Sequence, residues 1–522
     1  MTGTLEDRAV EPPHEATLPA LLEHHRRIHP DQVVLVEEGI SYTFKELSGS
    51  VSHLAEGWSQ LGVAEGDVVA LWLPSSVQWV QAALASAYHG AVTFGVNTLL
   101  RSRDVLQALE DSHARVLVVW PSFKGIDFFG MLGEIAGSLP ATLRNIVTIG
   151  DGDEAVPESL RERVMPWHTL AEGDDASVPT PVSAATPLRP AQAFSSSGTS
   201  SAPKLILQSH RSLITHSYAV AHAFGYTAAD TVVLGALPFC GVFGYNTLFA
   251  ALAAGRPLVI QPVFDAAASV DLIRCHRVTH TNLSDEMLRH LIETAPLDSM
   301  PTWREAGFGD FTAVDAHTLV AAGARAGKKF FQTYGASEVL AVMTYPRPDS
   351  GPERWGTGGG VPVSAEIEVS GPNVTCGYLN RNGIEDGFFR TGDLGRLGPG
   401  DDLVYLSRRG DALRLGGFLV SPREIGTFLE EDPAVREAQV VGVDTPGGLV
   451  MVAFVLGDPA SFDESTLIAG CRRELARFKV PRRVVVLEEF PMMSRGANGN
   501  KIQRTVLREM AATLMEEGVT SR

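Results

Sequence analysis

The segment AFSSSGTSSAPKLILQSHRS (193–212) combines residue types that suit a phosphate-binding loop. Serine and threonine hydroxyls and one glycine precede Lys204, and the apolar run LIL, typical of a strand, follows it. Such a loop offers hydroxyls, backbone N–H groups and one ammonium to a polyphosphate. It differs from a Walker A loop, in which GxxxxGK[ST] opens a helix, because proline precedes the lysine here and a strand follows it. A flexible serine-rich loop is the alternative interpretation.

Two further segments place carboxylates where a nucleotide could meet them. In FFQTYGASEV (330–339) an apolar strand ends at Tyr-Gly, and Ser337 and Glu338 follow. A hydroxyl and a carboxylate at the carboxyl end of a strand suit phosphate oxygens and Mg²⁺, although a helix N-cap explains the same pattern. GFFRTGDLG (387–395) predicts a tight turn at Asp393, an acid that could bind ribose hydroxyls or belong to a plain turn.

Lysine is scarce in this chain, so the lysines that follow glycine-rich loops are of interest. Only seven of the 43 Lys and Arg residues are lysine. In SRGANGNKIQR (494–504), Lys501 follows such a loop near the C-terminal end, and an exposed hairpin turn is the alternative interpretation. Lys204 and Lys501 are therefore the two lysines of greatest interest.

The overall charge excludes some classes of partner. Lys and Arg total 43, Asp and Glu total 61, and the formal net charge is −18 at pH 7. Because no basic field offsets phosphate repulsion, we expect binding neither to nucleic acid nor to anionic lipid. An anionic substrate would need a local positive site.

Strand and helix patterns alternate along most of the chain, which predicts an α/β fold. VVALWLP (68–74) and AVTFGVN (91–97) are apolar strands on either side of a helix at 76–90. Near-continuous apolar strands indicate a parallel sheet that is covered on both faces. A second α/β series spans about 204–345, and a glycine-rich, β-rich segment spans 356–408.

The pattern changes again after Gly410, where a compact α+β unit follows. The polar segment SRRGDA (407–412) is the predicted hinge between the two parts. We therefore predict two domains. Residues 1–409 form a large N-terminal domain of stacked αβαβα-type sheets with a β-rich subdomain, and residues 410–522 form a small mobile α+β domain.

Cysteine usage and the uncharged stretches bear on the compartment. The four cysteines show no CxxC spacing, which fits a reducing cytoplasm. The polar N-terminus has no apolar core of a signal peptide. Residues 68–100 and 231–255 carry no charge, but both contain proline, glycine and polar residues, so they are interpreted as strand–loop–helix units. We expect a cytoplasmic protein without a membrane span.

Taken in order, the candidate segments resemble the core motifs of the acyl-adenylate-forming (AMP-binding) superfamily. That superfamily includes acyl- and aryl-CoA ligases, nonribosomal adenylation domains and luciferases, and the resemblance covers about residues 30–510. The segment SSGTSSAPK (196–204) resembles the phosphate loop of that superfamily, and YGASE (334–338) and TGD (391–393) resemble its next two motifs. Its hinge and thiol-tunnel loop are resembled by SRRGDALRLGG (407–417) with PREIG (422–426), and its terminal motif by FKVP (478–481) with NKIQR (500–504).

The resemblance implies a two-step reaction. A carboxylate attacks the α-phosphate of Mg·ATP to give acyl-AMP and pyrophosphate, and a thiol then displaces AMP; cations neutralise the charge that develops. By this resemblance Lys501 bridges the carboxylate and the α-phosphate, and Ser337 touches the α-phosphate. Glu338 and Thr199 hold Mg²⁺. Because Lys501 lies on the small domain, that domain must turn about residues 410–411 between the two steps.

The resemblance also implies which residues bind the nucleotide and the thiol. The phosphate loop covers the β- and γ-phosphates, and the loop at 416–417 lines a pantetheine tunnel. Tyr334 lies against adenine, whereas Asp393 and Arg408 bind ribose. The full implied set is Ser196, Ser197, Gly198, Thr199, Ser200, Lys204, Tyr334, Gly335, Asp393, Arg408, Gly416 and Gly417.

The implied acid pocket departs from the family pattern. Gly241 aligns with the usual histidine or aromatic gate, so its absence opens space. Phe308 stands where a small residue is usual, and Thr333 replaces a glycine. Both additions are expected to fill the pocket, which argues against a long straight acyl chain. The implied pocket residues are Phe239, Gly241, Gly307, Phe308, Gly309, Thr333 and Ala336.

Two acids in SDE (284–286) replace a segment that is usually apolar in the family. Asp285 or Glu286 could meet a polar or amino-bearing substrate. The alternative interpretation is a solvated helix N-terminus, where acidic side chains are favourable.

These features together predict an AMP-forming acid–thiol ligase of the acyl-CoA synthetase type. It would activate a small or aromatic carboxylic acid with ATP and Mg²⁺ and transfer the acyl group to CoA. The alternatives are delivery to a separate carrier protein, a non-thiol acceptor, and a non-catalytic nucleotide-binding protein. Retention of Lys501, Glu338 and Asp393 together favours an enzyme.

Overall fold

The computed structural model describes most of the chain, and every structural statement refers to that part. The described residues are 16–150, 156–171, 183–195, 204–309, 316–342, 365–379, 388–397, 403–408, 413–415, 418–420, 422–445, 448–458, 462–475, 479–496 and 499–520.

An eight-stranded sheet forms one layer of the large N-terminal part. Its central strands are short runs of buried apolar residues, as expected for parallel strands covered on both faces. Neighbouring strands are parallel from the strand Pro190–Ser195 through to the strand Val164–Pro166. The strand Leu205–Ser209 pairs antiparallel with Pro190–Ser195 on one side and with Gly377–Tyr378 on the other. In spatial order the strands are β18 (Gly377–Tyr378), β11 (Leu205–Ser209), β10 (Pro190–Ser195), β4 (Val92–Gly95), β3 (Val68–Trp72), β5 (Val116–Val119), β8 (Asn145–Thr148) and β9 (Val164–Pro166).

A seven-stranded sheet forms a second layer. All of its pairs are parallel except β1 with β2. In spatial order the strands are β16 (Lys329–Thr333), β15 (Glu305–Gly309), β14 (His280–Ser284), β12 (Val233–Gly235), β13 (Leu258–Ile260), β1 (Val33–Glu37) and β2 (Ile40–Thr43).

Helices fill the space between the sheets and cover both outer faces. One continuous core joins the facing sides of the two sheets to α1–α3, α7 and α8. A second core packs α4 and α5 on the outer face of the eight-stranded sheet, and a third packs α9–α11 on the outer face of the seven-stranded sheet. The helices are α1 (Leu18–Ile28), α2 (Phe44–Gln60), α3 (Val77–Tyr88), α4 (Ser102–Ser112), α5 (Phe128–Ile135), α6 (His168–Ala171), α7 (His210–Ala223), α8 (Val242–Ala253), α9 (Ala266–Cys275), α10 (Asp285–Thr294) and α11 (Ala316–Arg325).

This layering confirms the predicted αβαβα arrangement of stacked sheets. Residues 68–100 are β3, α3 and β4, and residues 231–255 contain β12 and α8, as the sequence predicted. Among the described helices, none combines the length and the apolar character that crossing a bilayer requires. The four cysteines, all within the described ranges, are free thiols.

The C-terminal part is a smaller α+β unit with two apolar cores of its own. The predicted boundary at 409–410 lies outside the described residues, so the division into 1–409 and 410–522 stays a prediction. The remaining elements are β6 (Ser122–Phe123), β7 (Ile126–Asp127), β17 (Ala365–Val369), β19 (Phe389–Leu397), β20 (Leu403–Arg408), β21 (Leu413–Leu415), β22 (Phe418–Val420), β23 (Val435–Thr445), β24 (Gly448–Gly457), β25 (Arg483–Leu487), β26 (Met492–Gly496), β27 (Gly499–Ile502), α12 (Pro422–Glu430), α13 (Glu464–Glu474) and α14 (Arg504–Thr520).

Candidate active site

The chain folds back sharply after β16, in the segment predicted to hold a metal and a phosphate. A Cβ on Gly335 would lie 1.6 Å from the carbonyl oxygen of Ala341, so only glycine fits there. Leu340 and Ala341 both have positive φ, +62° and +64°, a conformation that costs non-glycine residues about 1–2 kcal/mol each. Two such residues in succession persist only where the surroundings fix them, as at many functional sites. Ser337 begins a single 3₁₀ turn, which leaves no α-helix here to be capped.

Side chains from other elements hold this loop by its backbone. Gln208 on β11 is fully buried, and its Nε2 donates to the carbonyl oxygens of Ser337 (3.5 Å) and Glu338 (3.1 Å). The Thr375 N–H donates to the Glu338 carbonyl oxygen at 2.7 Å, and Asn246 Nδ2 on α8 donates to the Leu340 carbonyl oxygen. The backbone that carries the buried residue Glu338 is therefore held by the eight-stranded sheet, by Thr375 and by α8.

Tyr334 and Asp393 form a pair between the seven-stranded sheet and the β17–β19–β20 sheet. The Tyr334 hydroxyl donates to Asp393 Oδ2 at 2.6 Å, and Asp393 is buried. The predicted turn at Asp393 is wrong, because the residue lies within β19. Gly392 before it has φ +73° and the pairing register shifts after it, so the glycine signals an irregular strand. Arg408 on β20 is the register partner of Asp393, and ribose binding by the two residues stays a prediction.

Lys204 lies where the predicted phosphate loop enters β11. Its Nζ lies 5.6 Å from the centre of the Tyr378 ring on β18, a cation–π geometry. β18 pairs with β11 and follows Thr375 in the chain. The segment 375–378 therefore contacts both Lys204, through Tyr378, and the Glu338 loop, through Thr375. The loop residues Ser196, Ser197, Gly198, Thr199 and Ser200 and the tunnel residues Gly416 and Gly417 lie outside the described residues.

Lys501 lies on β27, opposite Met493 on β26 in the terminal hairpin. It therefore lies within the second strand of the hairpin. Its assignment as the adenylation lysine stays a prediction.

The acid side of the site includes one clear correction. Phe308 was expected to fill the pocket, but it packs in the core between the seven-stranded sheet and α9–α11. Strand residues alternate between faces, so Gly307 and Gly309 lie on the opposite face, together with their register partners Phe331 and Thr333. Phe331 belongs to the core between the two sheets, which identifies this as the inner face. The inner face, which we call the pocket face, therefore carries Gly307 and Gly309 in place of Phe308.

The other four predicted pocket residues lie on α8, on β16 or next to these elements. Thr333 is buried, and its hydroxyl donates to the Phe308 carbonyl oxygen at 3.3 Å. Gly241 is the N-cap residue of α8, and Ala336 precedes the 3₁₀ turn at Ser337. Phe239 is fully buried against Trp79, with ring centres 5.7 Å apart, so its side chain contributes to the core wall.

A buried polar cluster lies beside Gly307. Asn282 on β14 is the register partner of Gly307, and its Nδ2 donates to the hydroxyls of Tyr226 (3.1 Å) and Thr247 (3.0 Å). Burial raises the pKa of the Tyr226 hydroxyl well above its usual value and lowers that of His280, whose ring lies 5.3 Å away, to about 4. The cluster is therefore uncharged near neutral pH.

The SDE segment begins α10. Ser284 is its N-cap residue and accepts from the Met287 N–H at 3.1 Å. Asp285 is completely buried, so the interpretation as a solvated helix N-terminus is wrong for this residue, whereas Glu286 is half-buried. The pKa of Glu437 on β23 is raised by burial, then by Glu430 and then by Asp285. Asp285 therefore lies near the small C-terminal unit.

The sequence interpretation missed the residues that hold and line the site. Gln208 and Asn246 fix the Glu338 loop, and Asn282 borders the pocket face. The signal for Gln208 is a polar residue at the end of the apolar run LIL, inside a strand that is otherwise buried. Asn282 lies in the polar run HTNLS, in which alternation gives no sign of the inner face.

Comparisons with known proteins agree with this geometry. The family model described as AMP-binding enzyme matches residues 22–379, and that of the AMP-binding enzyme C-terminal domain matches residues 424–497.

Two relatives and one solved structure align over nearly their whole lengths. The chain is 29% identical to a 2-succinylbenzoate–CoA ligase of Geobacillus kaustophilus, over 95% of this chain and 97% of that protein. It is also 29% identical to the 3-[(3aS,4S,7aS)-7a-methyl-1,5-dioxo-octahydro-1H-inden-4-yl]propanoyl:CoA ligase of Mycobacterium tuberculosis, over 95% and 99%. ATP-bound MatB from Rhodopseudomonas palustris shares the fold, with a TM-score of 0.79 at 24% identity over 95% and 99% of the two chains. Because the enzyme-family model alone spans well over half of its length, this chain belongs to the family of AMP-binding enzymes.

Proposed function

We propose that this protein is an AMP-forming ligase that joins a carboxylic acid to CoA. A carboxylate oxygen attacks the α-phosphorus of ATP, and pyrophosphate leaves; the CoA sulfur then attacks the acyl carbon, and AMP leaves. The observation that carries the proposal is the fixed loop from Tyr334 to Glu338, which lies beside Asp393 and beside the strand that follows Lys204. We infer that Glu338 serves the metal, Asp393 the ribose and Lys204 the phosphates.

The residues fit a magnesium nucleotide. Mg²⁺ is usually held by one or two carboxylates together with substrate phosphates, so the single carboxyl group of Glu338 is an appropriate donor, with the Thr199 hydroxyl as its proposed companion. Bound Mg²⁺ would neutralise phosphate charge during the first step. Tyr334 holds Asp393 at 2.6 Å, which suits an acceptor for ribose hydroxyls.

Lys501, Ser337 and Arg408 complete the proposal. Lys501 would contribute its charge at the α-phosphate, where negative charge develops. Arg408 would share the ribose with Asp393, its register partner. The small unit that carries Lys501 would turn after the first step, and residues 416–417 would then line the path of pantetheine.

The proposed acid is small or aromatic. Phe308 no longer supports this, because it lies on the outer face of its strand. Thr333 on the inner face and the aromatic edges of Phe224 and Phe331 around Gly307 do support it, since their bulk limits the length of an acid on this face. Free CoA is the proposed acceptor; a separate carrier protein and a non-thiol acceptor are the alternatives. A cytoplasmic location fits the four free cysteines.

The test is product formation over a panel of carboxylic acids. With ATP, Mg²⁺ and CoA, at least one acid should give equal amounts of AMP and acyl-CoA. Without CoA, the same acid should give a stoichiometric burst of enzyme-bound acyl-AMP and pyrophosphate. AMP formation that needs a carrier protein or an amine would favour an alternative acceptor, and nucleotide binding without turnover would identify a non-catalytic protein.

A further inference from the structure

A buried acceptor beside the pocket face has no partner within the described part of the chain. Asn282 is 1% exposed, and both hydrogens of its Nδ2 are used by Tyr226 and Thr247. Its Oδ1 is buried and accepts no hydrogen bond from any described residue. Buried side-chain oxygens in proteins are paired in the large majority of cases, so this atom is expected to meet a donor in the working enzyme.

The Asn282 oxygen is directed at the glycine that opens the pocket face. A Cβ on Gly307 would lie 2.6 Å from Asn282 Oδ1 and 3.4 Å from ring carbons of Phe224 and Phe331. The oxygen and the two ring edges therefore pack around the Cα atom of Gly307 and leave no room for a side chain there. An apolar rim with one polar atom is the composition expected of a small-molecule site that fixes the orientation of its ligand.

The depth of this atom indicates which end of the acid it meets. The Glu338 loop lies at the carboxyl end of β16, and Asn282 lies two residues before the end of β14, about 7 Å deeper at the usual rise per residue. Thr247 lies six residues along α8 from Gly241, which is about 9 Å. Asn282 is thus far from the reacting carboxylate and close to the distal end of a short acid.

The hydrogen bonds also define the chemistry of the missing partner. Because Nδ2 is used twice, the free side of the Asn282 amide accepts, and its partner must donate. Tyr226 and His280 are neutral here, and Glu305, whose charge adds to the raised pKa of Tyr226, is paired with Lys329 at 3.7 Å. An unpaired ammonium would be costly in such surroundings, whereas a hydroxyl or an aromatic amine would not.

We propose that Asn282 Oδ1 accepts a hydrogen bond from the distal end of the acid, so that the enzyme selects acids carrying a hydroxyl or an aromatic amino group there. This inference rests on the proposed function, because it assigns the acid's specificity. It adds a selection rule to the statement that the acid is small or aromatic. Tyr226 and Thr247 act as positioning residues that hold the amide in its accepting orientation.

The experiment compares matched acids in acid-dependent AMP release. The probes are benzoate with 3- and 4-hydroxybenzoate and 3- and 4-aminobenzoate, and butanoate with 4-hydroxybutanoate. In the wild-type enzyme, the best donor-bearing member of at least one series should have a kcat/KM at least about tenfold above that of its parent acid, since a site with an unpaired buried acceptor rejects the analogue that lacks the donor. The Asn282→Leu variant should reduce that ratio to about one.

Thr281→Val is the matched control. Thr281 is the neighbouring buried residue on β14, and its hydroxyl accepts from Trp303 Nε1 at 3.2 Å on the outer face. This variant should lose some stability and keep the wild-type selectivity ratio. If Asn282→Leu fails to fold, the test uses the ratio of kcat/KM between donor-bearing and parent acids in the wild-type enzyme and in an Asn282→Ser variant.

The outcomes separate the two claims. AMP release from the parent acids and their donor-bearing analogues at equal kcat/KM overturns this inference and leaves the proposed function intact. A donor preference that persists in Asn282→Leu also overturns it, because the donor then meets another group. If neither these probes nor any other acid of the panel gives AMP while nucleotide still binds, the proposed function is contradicted and this inference falls with it.

Discussion

The proposed ATP side and the proposed acid side of the site obtain their geometry by different means. On the ATP side, a strained loop carries Glu338, and its backbone carbonyls are bonded by Gln208, Thr375 and Asn246. On the acid side, the surface is one face of β14–β16 with α8, and its character depends on which strand residues face inward. The chemistry of the ATP side therefore depends on a loop motif. On the acid side, a shift of one residue along a strand changes which side chains point to the inner face, and so changes the surface that the acid meets.

The largest expected effect concerns the lysine of the small unit. Lys501→Ala should reduce acyl-AMP formation by about 10²–10³-fold, the usual cost of removing one group that stabilises developing charge. Thioester formation from supplied acyl-AMP and CoA should stay within a few-fold of wild type. Rapid-quench assays of each half-reaction measure both rates. Equal losses in the two half-reactions would contradict the assignment of Lys501 to the ATP side alone.

Gly335→Ala tests how strictly the ATP side depends on backbone shape. The new Cβ would lie 1.6 Å from the Ala341 carbonyl oxygen, so the loop must move and carry Glu338 with it. A displacement of about 1 Å at a reacting group costs about 10²-fold in kcat. Gly470→Ala on α13 is the control, because a Cβ there meets nothing within 4 Å, and it should leave kcat unchanged. Wild-type kcat in Gly335→Ala would show that the loop tolerates displacement.

Gln208→Glu separates positioning from packing. Glutamate keeps the oxygen that accepts from the Ser212 hydroxyl at 2.9 Å but loses the donors to the Ser337 and Glu338 carbonyls. We expect kcat/KM to fall about tenfold, in line with about 1–3 kcal/mol for leaving buried groups unpaired, and the Mg²⁺ concentration for half-maximal rate to rise.

The control for this variant is Gln192→Glu on the neighbouring strand β10. Gln192 is equally buried, and its Nε2 donates to the Ala193 carbonyl oxygen at 3.1 Å. It should lose stability without a change in Mg²⁺ dependence. If both variants shift the Mg²⁺ dependence alike, Gln208 has no special part in placing Glu338.

The smallest expected effect concerns ionisation near the acid side. Burial, then Glu430 and Asp285, raise the pKa of Glu437 to about 7. A carboxyl group with a raised pKa binds its proton more tightly in the folded state, so its favourable contribution is complete below about pH 4.5 and is lost as the pH rises to 7. Glu437→Gln should therefore raise the free energy of unfolding at pH 8 by about 1 kcal/mol, after allowance for solvent screening of this half-buried group, and leave it unchanged at pH 4.5.

Chemical denaturation at the two pH values measures this difference. Glu431→Gln, at an exposed position after α12, serves as the control. An equal gain at both pH values would mean that Gln packs better and that ionisation is not the cause.

The sequence was informative where a motif carries its own geometry. The apolar run before Tyr334 ends as predicted, and Lys204 directly precedes its predicted strand. The layered fold also followed from strand–helix alternation. The sequence did not predict which side chains of a buried strand point to the inner sheet face, because a strand that is covered on both sides shows no polar face. Phe308 and Gly307 are equally buried and lie on opposite faces of the sheet.

Long-range contacts were likewise beyond the sequence. Gln208 lies 130 positions from Glu338, and Asn282 lies 35 positions from Thr247, so no local pattern links them. Their roles depend on which strands become neighbours in the sheets. The irregular strand at Asp393 shows the same limit on a smaller scale, since Gly392 favours a turn locally and the pairing with β17 and β20 makes it a strand.

The most direct test of the account is isotope exchange between pyrophosphate and ATP in the absence of CoA. Because the proposed ATP side would serve attack of a carboxylate on the α-phosphate, exchange should appear only when a substrate acid and Mg²⁺ are present, and AMP should be the nucleotide product. Acid-independent exchange, or release of ADP and phosphate in its place, would contradict the account.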